Sequence, residues 1–314
     1  MTRIEQHLTD AQRDRAAGVL TGTAAGDALG AGYEFTHPTA DTPIFMKGGG
    51  TFDWAPGEWT DDTSMALCVA EGLSFGNADL DAIAAAFMRW YRSNPPDIGN
   101  QTRTVLSARA ADAAEMAAAA AKLSGRTGGN GSLMRTAPVA LAFLDDLEGC
   151  VDAAGAISDL THCDVRAREA CQMWSAGIRD AVLTGSAGGV RTFLDTAPAS
   201  TRDYWSPLLD LAETGSPADF PNNGWVVHAL QTAWWAFNAA GGDLPQTLEL
   251  CVRAGNDTDT TSAIAGGLAG ACGGISSVPA EWLDLLHGYP GARAAGLRTL
   301  TDRIINTNSQ EATQ

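Results

Sequence analysis

Glycines 18, 22, 26 and 30 recur at every fourth position through the small, apolar segment Ala11 to Gly30. Residues four apart share one face of a helix, so this spacing draws a stripe without side chains along it. Each glycine costs a helix roughly 1 kcal/mol against alanine. Four in register therefore imply a return, and the return available to a bare stripe is another backbone lying directly against it. Gly266, Gly270 and Gly274 form a second stripe, just after Asp257-Thr258-Asp259. Both helices are expected at the centre of the fold, in close contact with their neighbours.

The rest of the chain supports an all-α reading. Alanine is abundant, β-branched runs are scarce and strand-like alternation is hard to find. Helices are expected over 81–92, 104–122, 165–183, 226–239 and 262–271, with a mixed, proline-bearing insert over 186–223. Residues 1–314 read as one globular domain with a frayed polar tail over 307–314. Hydrophobic residues make up 45% of the 314, enough for a sizeable core. The net charge of −17 argues against binding nucleic acid or an anionic membrane by charge alone. Residues 1–6 lack the apolar centre of a signal peptide, and no apolar run approaches the roughly 18 residues of a membrane span. The six cysteines are scattered without CxxC spacing, which favours a cytoplasmic protein with reduced thiols.

Two short motifs carry the chemistry. Asp61 and Asp62 lie between Thr60 and Thr63 at the start of an apolar helix, with Thr60 in the capping position. Asp257 and Asp259 alternate with Thr258 and Thr260 at the start of the second glycine-striped helix. Separately, each reads as an acidic helix opening favoured by the helix dipole. If the two ends converge, four carboxylates share one pocket and require a counter-cation. The donors are all hard oxygens, which suits magnesium, manganese or calcium rather than zinc. The segment from Asp257 is not an EF-hand, because Ser262 and Leu268 stand where that loop needs glycine and glutamate.

Other candidates surround these motifs. Asp27 interrupts the first glycine stripe and needs a partner there, either as a cap or near a cation. Glu34 follows the helix break and Asp97 precedes a helix start; their plainest roles are a solvated loop acid and a cap. The loop Ser124 to Ser132 is glycine-rich and offers free N–H groups for a phosphate, with Arg135 in reach to reinforce it. His162 reads as a satisfied turn residue, and Trp225, at a helix entrance, as a stacking platform.

Taken in order, these segments resemble the ADP-ribosylglycohydrolases, in particular the dinitrogenase-reductase-activating glycohydrolase branch. The resemblance runs from about Ala16 to Gly273. It rests on Gly26-Asp27-Ala28-Leu29-Gly30 with Glu34-Phe35, Trp59-Thr60-Asp61-Asp62-Thr63, Asp97-Ile98-Gly99-Asn100 and Gly129-Asn130-Gly131-Ser132-Leu133-Met134-Arg135. It continues in Thr161-His162, Gly224-Trp225-Val226-Val227 and Asp257-Thr258-Asp259-Thr260-Thr261.

The resemblance implies a compact, orthogonal multi-helix fold holding two magnesium or manganese ions. The ligands it carries over are Thr60, Asp61, Asp62, Asp257, Asp259 and Thr260. Asn130, Gly131 and Ser132 would hold a diphosphate. Asn100 and His162 would line the ribose and adenosine ends, and Trp225 would contact the adenosine. The implied reaction is hydrolysis of the bond between C1″ of ADP-ribose and a modified side chain of a protein, most simply arginine. Asp97 is favoured for proton transfer, with Glu34 as a gate near the cations or as an alternative base. Serine- or other O-linked substrates, a non-catalytic ADP-ribose-binding role and a nucleotide phosphohydrolase are the other readings.

Overall fold

The computed structural model describes residues 8–306. The expectations for residues 1–6 and for the tail 307–314 lie outside the described residues.

Fifteen α-helices account for most of the described chain: α1 Asp10–Gly30, α2 Asp61–Glu71, α3 Leu80–Arg92, α4 Asn100–Ser107, α5 Ala113–Ala121, α6 Val139–Ala142, α7 Leu147–Asp159, α8 Val165–Thr184, α9 Gly189–Thr196, α10 Ala199–Thr214, α11 Val226–Ala239, α12 Leu244–Ala254, α13 Thr258–Gly273, α14 Ala280–Leu285 and α15 Ala294–Ile305. Two short antiparallel hairpins are the only sheets among the described residues, pairing Leu73–Ser74 with Asn77–Ala78 and His287–Gly288 with Ala292–Arg293. The fold is all-α, as the composition implies. Six helix starts are fixed locally: Thr9 and Gln12 close a capping box on α1, and Asp79, Asp112, Asp146, Asp164 and Asp243 cap α3, α5, α7, α8 and α12.

The core is organised around α1 and α13, both buried along most of their length. A Cβ added at Gly18 would land on the carbonyl of Gly270, one at Gly22 on that of Gly266, and one at Gly26 on that of Ser262. Residue numbers rise along α1 as they fall along α13, so the helices run antiparallel with backbones in van der Waals contact. Each stripe packs against the other. Gly274 is the exception: it lies past the end of α13 with φ 78°, in a conformation suited to glycine.

Three expected segments differ. The helix expected over 104–122 is two helices, separated where Arg109 adopts a left-handed φ of 56° and Asp112 begins a new cap by accepting from Glu115 N. Residues Leu133 to Arg135 form a turn, and α6 begins only after Pro138. The 186–223 segment is packed into the core through α9 and α10. Trp205 is fully buried and donates its indole N–H to Glu169 Oε2 at 2.9 Å. Among the described residues no helix is long and apolar enough to cross a membrane.

Candidate active site

The register of α1 on α13 assembles the site. A Cβ at Gly30 would lie 2.5 Å from the main chain of Asp259, and Thr258 Oγ1 donates to the Gly30 carbonyl at 2.9 Å. The chain leaving α1 stays beside the start of α13, where Phe35 N donates to Asn256 O at 2.6 Å. Asp27 and Glu34 are thereby carried to Asp257 and Asp259.

Asp27 also anchors α2. Its Oδ1 accepts from Thr60 N at 2.9 Å, and its Oδ2 accepts from Thr63 N at 2.9 Å and Thr63 Oγ1 at 2.6 Å. A carboxylate from another helix therefore satisfies the free N–H groups at the start of α2. Thr60 holds the expected N-cap position, but its hydroxyl donates to Asp62 Oδ2 at 2.8 Å instead of capping.

Carboxylate oxygens of Asp27, Asp62 and Asp259 lie within 4.8 Å of one another, and so do those of Glu34, Asp97 and Asp259. Asp259 belongs to both triads. Burial, reinforced by neighbouring carboxylates, pushes Asp61, Asp62 and Asp259 well above the usual carboxylate range. The same causes raise Glu34 to about 9 and Asp97 to about 6. Burial raises Asp27 to about 6 against its hydrogen bonds from Thr63 and Thr60. Asp62 Oδ1 and Glu34 Oε2 are buried without a hydrogen-bond partner. Unpaired anionic oxygens beside an all-oxygen donor set fit a hard divalent cation such as magnesium or manganese.

These shifts set a pH dependence. An acid whose folded pKa is raised favours folding when protonated, and that contribution is lost as pH rises through the folded value. The cation-free protein is expected to lose stability between about pH 4 and about 9, the value to which Glu34 is pushed. Added magnesium or manganese should stabilise progressively more over the same interval. Thermal melts at pH 5 and pH 8, with EDTA or with cation, measure this; a cation effect larger at pH 5 would contradict it.

A cavity of ≈ 500 Å³ opens above the carboxylates, within the roughly 300–1,000 Å³ of ligand pockets. Its lining includes Glu34, Asp61, Asp97, Asp257, Asp259 and Thr260 together with Asn100, Gly129, Asn130, Gly131 and His162. Thr60 and Asp62 are buried and do not line it. Glu34 is buried, not a solvated loop acid. Asp97 is not a cap either: α4 starts at Asn100 with Gly99 as its N-cap.

The remaining candidates make contacts that chain order alone did not show. Arg135 is fully buried and does not reach the glycine loop; its Nη2 donates to Thr161 Oγ1 at 2.8 Å, and its guanidinium lies over Phe87. The Thr161 hydroxyl, which accepts that bond, also pairs with His162 Nδ1 at 2.7 Å. His162 Nε2 is the ring nitrogen beside Gly129 and Gly131. Burial and the Arg135 charge lower His162 to about 3, so it offers the cleft a neutral imidazole. Ser132 turns its hydroxyl to Ser158 at 2.9 Å, into the core. Asn130 spends its side-chain amide on Asp257 Oδ2 at 2.7 Å and Asn223 O at 2.9 Å, and its main-chain N–H on Gly224 O at 3.2 Å, so it braces the glycine loop against the start of α13. Trp225 is half-buried at the flank, paired through a β-bridge with Gly129 and set against the His228 ring at 4.9 Å. Sequence reading did not single out Phe35, Phe52, Gln101 or Arg103 as lining residues. They sit in loops and at a helix start, where periodicity carries no signal.

Fold and site together define an all-α enzyme with a cluster of oxygen donors that could hold cations beside a cleft of ligand size. Residues 8–313 match the family model ADP-ribosylglycohydrolase, and the chain belongs to that family. It is 34% identical to the ADP-ribosylarginine hydrolase Tri1 of Pseudomonas putida (strain GB-1), over 86% of this chain and 74% of that protein. It is 31% identical to the ADP-ribosyl-[dinitrogen reductase] glycohydrolase of Rhodospirillum rubrum, over 87% of this chain and 90% of that one. A solved ADP-ribosylglycohydrolase-related protein complex superposes with a TM-score of 0.76 at 31% identity, covering 95% of this chain and 99% of the other.

Proposed function

We propose that this protein hydrolyses the N-glycosidic bond between ADP-ribose and an arginine side chain of a modified protein, using two magnesium or manganese ions. The observation that carries the proposal is the pair of carboxylate triads sharing Asp259, with Glu34, Asp97 and Asp259 lining the cleft. The arginine linkage draws on the names of the two relatives above. Six unpaired cysteines favour a cytoplasmic setting.

Asp27, Asp62 and Asp259 would hold one ion and Glu34, Asp97 and Asp259 the other, with Thr60, Asp61, Asp257 and Thr260 completing the oxygen shell. Such a pair supplies charge stabilisation and orients the hydroxyls of the distal ribose. The remaining steps belong to side chains. Water oxygen bonds to C1″ as the C1″–N bond breaks, and its electron pair leaves with the guanidine nitrogen. Asp97 takes a proton from that water and returns it to the nitrogen, so arginine departs as guanidinium. That role needs a group that can both accept and release a proton. Glu34, in the same carboxylate triad, is the alternative base. Asn130, Gly131 and Ser132 would hold the diphosphate; Asn100, the His162 ring and the Trp225 ring would receive the ribose and adenosine.

Asp97→Asn is expected to lower kcat by about 10²–10⁴-fold, with release of ADP-ribose from an arginine-modified peptide as the assay. A larger loss in Glu34→Gln would exchange the two roles. Turnover of serine-linked ADP-ribose alone would overturn the arginine reading, and tight ADP-ribose binding with no turnover on either linkage would leave a binding protein.

A further inference from the structure

A second cavity of ≈ 240 Å³ meets the main one at three shared residues, Asp61, Pro96 and Asp97. Its lining is unlike that of the nucleotide-sized cleft. Trp54, Trp59, Trp90 and Tyr289 supply aromatic walls, and Glu58, Asp61 and Asp97 supply carboxylates. Ser93 and Asn94, both exposed, form part of the rim. Trp59 and Trp90 are each 1% exposed, so these rings are held firmly by the fold. The Trp59 indole N–H is satisfied by Tyr289 O at 3.2 Å. The Trp54 indole N–H is not: it is buried and has no partner, although the residue is only 7% exposed. A buried donor left unpaired costs free energy that a ligand's acceptor would recover.

We propose that this second cavity receives the leaving arginine, with its guanidinium between the aromatic walls and the carboxylates of Glu58, Asp61 and Asp97. This rests on the reaction assigned above and extends it to the other side of the scissile bond. ADP-ribose occupies the larger cleft, the arginine side chain enters from the Ser93–Asn94 rim, and the C1″–N bond lies where the two cavities meet, beside Asp97. The volume admits a guanidinium with its methylenes and excludes a nucleotide. Aromatic surfaces and carboxylates both favour a delocalised cation over a neutral group. Glu58 stands outside both carboxylate triads, so its charge remains available to a cation when divalent ions are bound. The Trp54 N–H faces the peptide carbonyl that accompanies a protein-borne arginine. A neutral serine side chain gains from neither the carboxylates nor the rings, so this cavity selects the linkage.

The test uses the cation-loaded full chain and agmatine, a guanidinium on a four-carbon stem. Agmatine should bind by calorimetry with ADP-ribose already present, and should compete with an ADP-ribosyl-arginine peptide in turnover. Glu58→Gln keeps the acceptor that Ala55 N uses at 2.9 Å, and Trp54→Phe keeps the ring while removing the unpaired N–H, so both should fold. Glu58→Gln should weaken agmatine about tenfold and lower kcat/KM on the arginine peptide by a similar factor, with the Kd for ADP-ribose unchanged. Trp54→Phe should lower kcat/KM on the peptide and leave agmatine affinity unchanged. Agmatine binding unaffected by Glu58→Gln, or no agmatine binding, overturns the cavity assignment whatever the enzyme's turnover. Absence of arginine-linked activity in a wild-type protein that still binds agmatine at this cavity overturns the reaction while leaving the cation site standing.

Discussion

Asp259→Asn should abolish cation-dependent turnover, because Asp259 is the carboxylate common to both triads. The loss of cation affinity is expected to exceed the roughly 10–100-fold that removing even a supporting partner of a metal ligand costs. Asparagine keeps the Oδ1 that accepts from Thr260 N at 2.9 Å, so the start of α13 should survive. With EDTA present the variant should be at least as stable as the wild type, since a buried anion has been removed from a crowd of like charges. The wild type should gain about 2.7 kcal/mol from cation at a hundred times its Kd, and the variant should gain almost nothing. Calorimetric titration of magnesium and manganese, paired with melting curves, measures both halves. An Asp259→Asn variant that hydrolyses substrate within tenfold of wild type, and still stops in EDTA, would remove the shared-carboxylate account.

Gly22→Val should be the most damaging single change to the fold. Its Cβ would land on the Gly266 carbonyl, and the two backbones cannot separate there without losing the contacts on either side. A destabilisation above about 3 kcal/mol is expected, at the upper end of overpacking effects. For a chain of this size that corresponds to a fall in Tm of roughly 4–5 °C. Gly296→Ala is the control. Gly296 lies in α15, is exposed, and an added Cβ meets only Ala292 Cβ at 3.6 Å. That variant should be neutral or stabilised by up to about 1 kcal/mol. Equal effects at both positions in urea unfolding would mean that the stripe has no packing role. Gly22→Val should also weaken cation binding, because the same contact sets where Asp27 and Glu34 meet Asp259.

Much of this molecule is legible before any coordinates. The glycine spacing announces two helices stripped for backbone contact, and the acidic helix openings announce hard-oxygen chemistry. Periodicity reports which face of a helix is bare, however, and not what covers it. That α1 pairs with α13 rather than with itself or another helix, and runs antiparallel to it, depends on contacts such as Thr258 to Gly30, separated by 228 residues. The roles of single polar residues were less legible for the same reason. Arg135 follows a glycine loop in the chain yet points the other way, into a buried network ending on His162. Ser132 sits in a phosphate-like motif and turns its hydroxyl to the core. Glu34 and Asp97 read as ordinary loop acids until folding buries the first and half-buries the second beside Asp259.

The amino-acid order by itself determined the helical class, the two striped helices and the oxygen donors, because each follows from residue type at short spacing. Tertiary structure alone decided that Asp27 caps α2 instead of its own helix, that Asp259 serves two triads, and that an aromatic cavity adjoins Asp97. Those features depend on how segments far apart in the chain are oriented when they meet, and local spacing does not encode that.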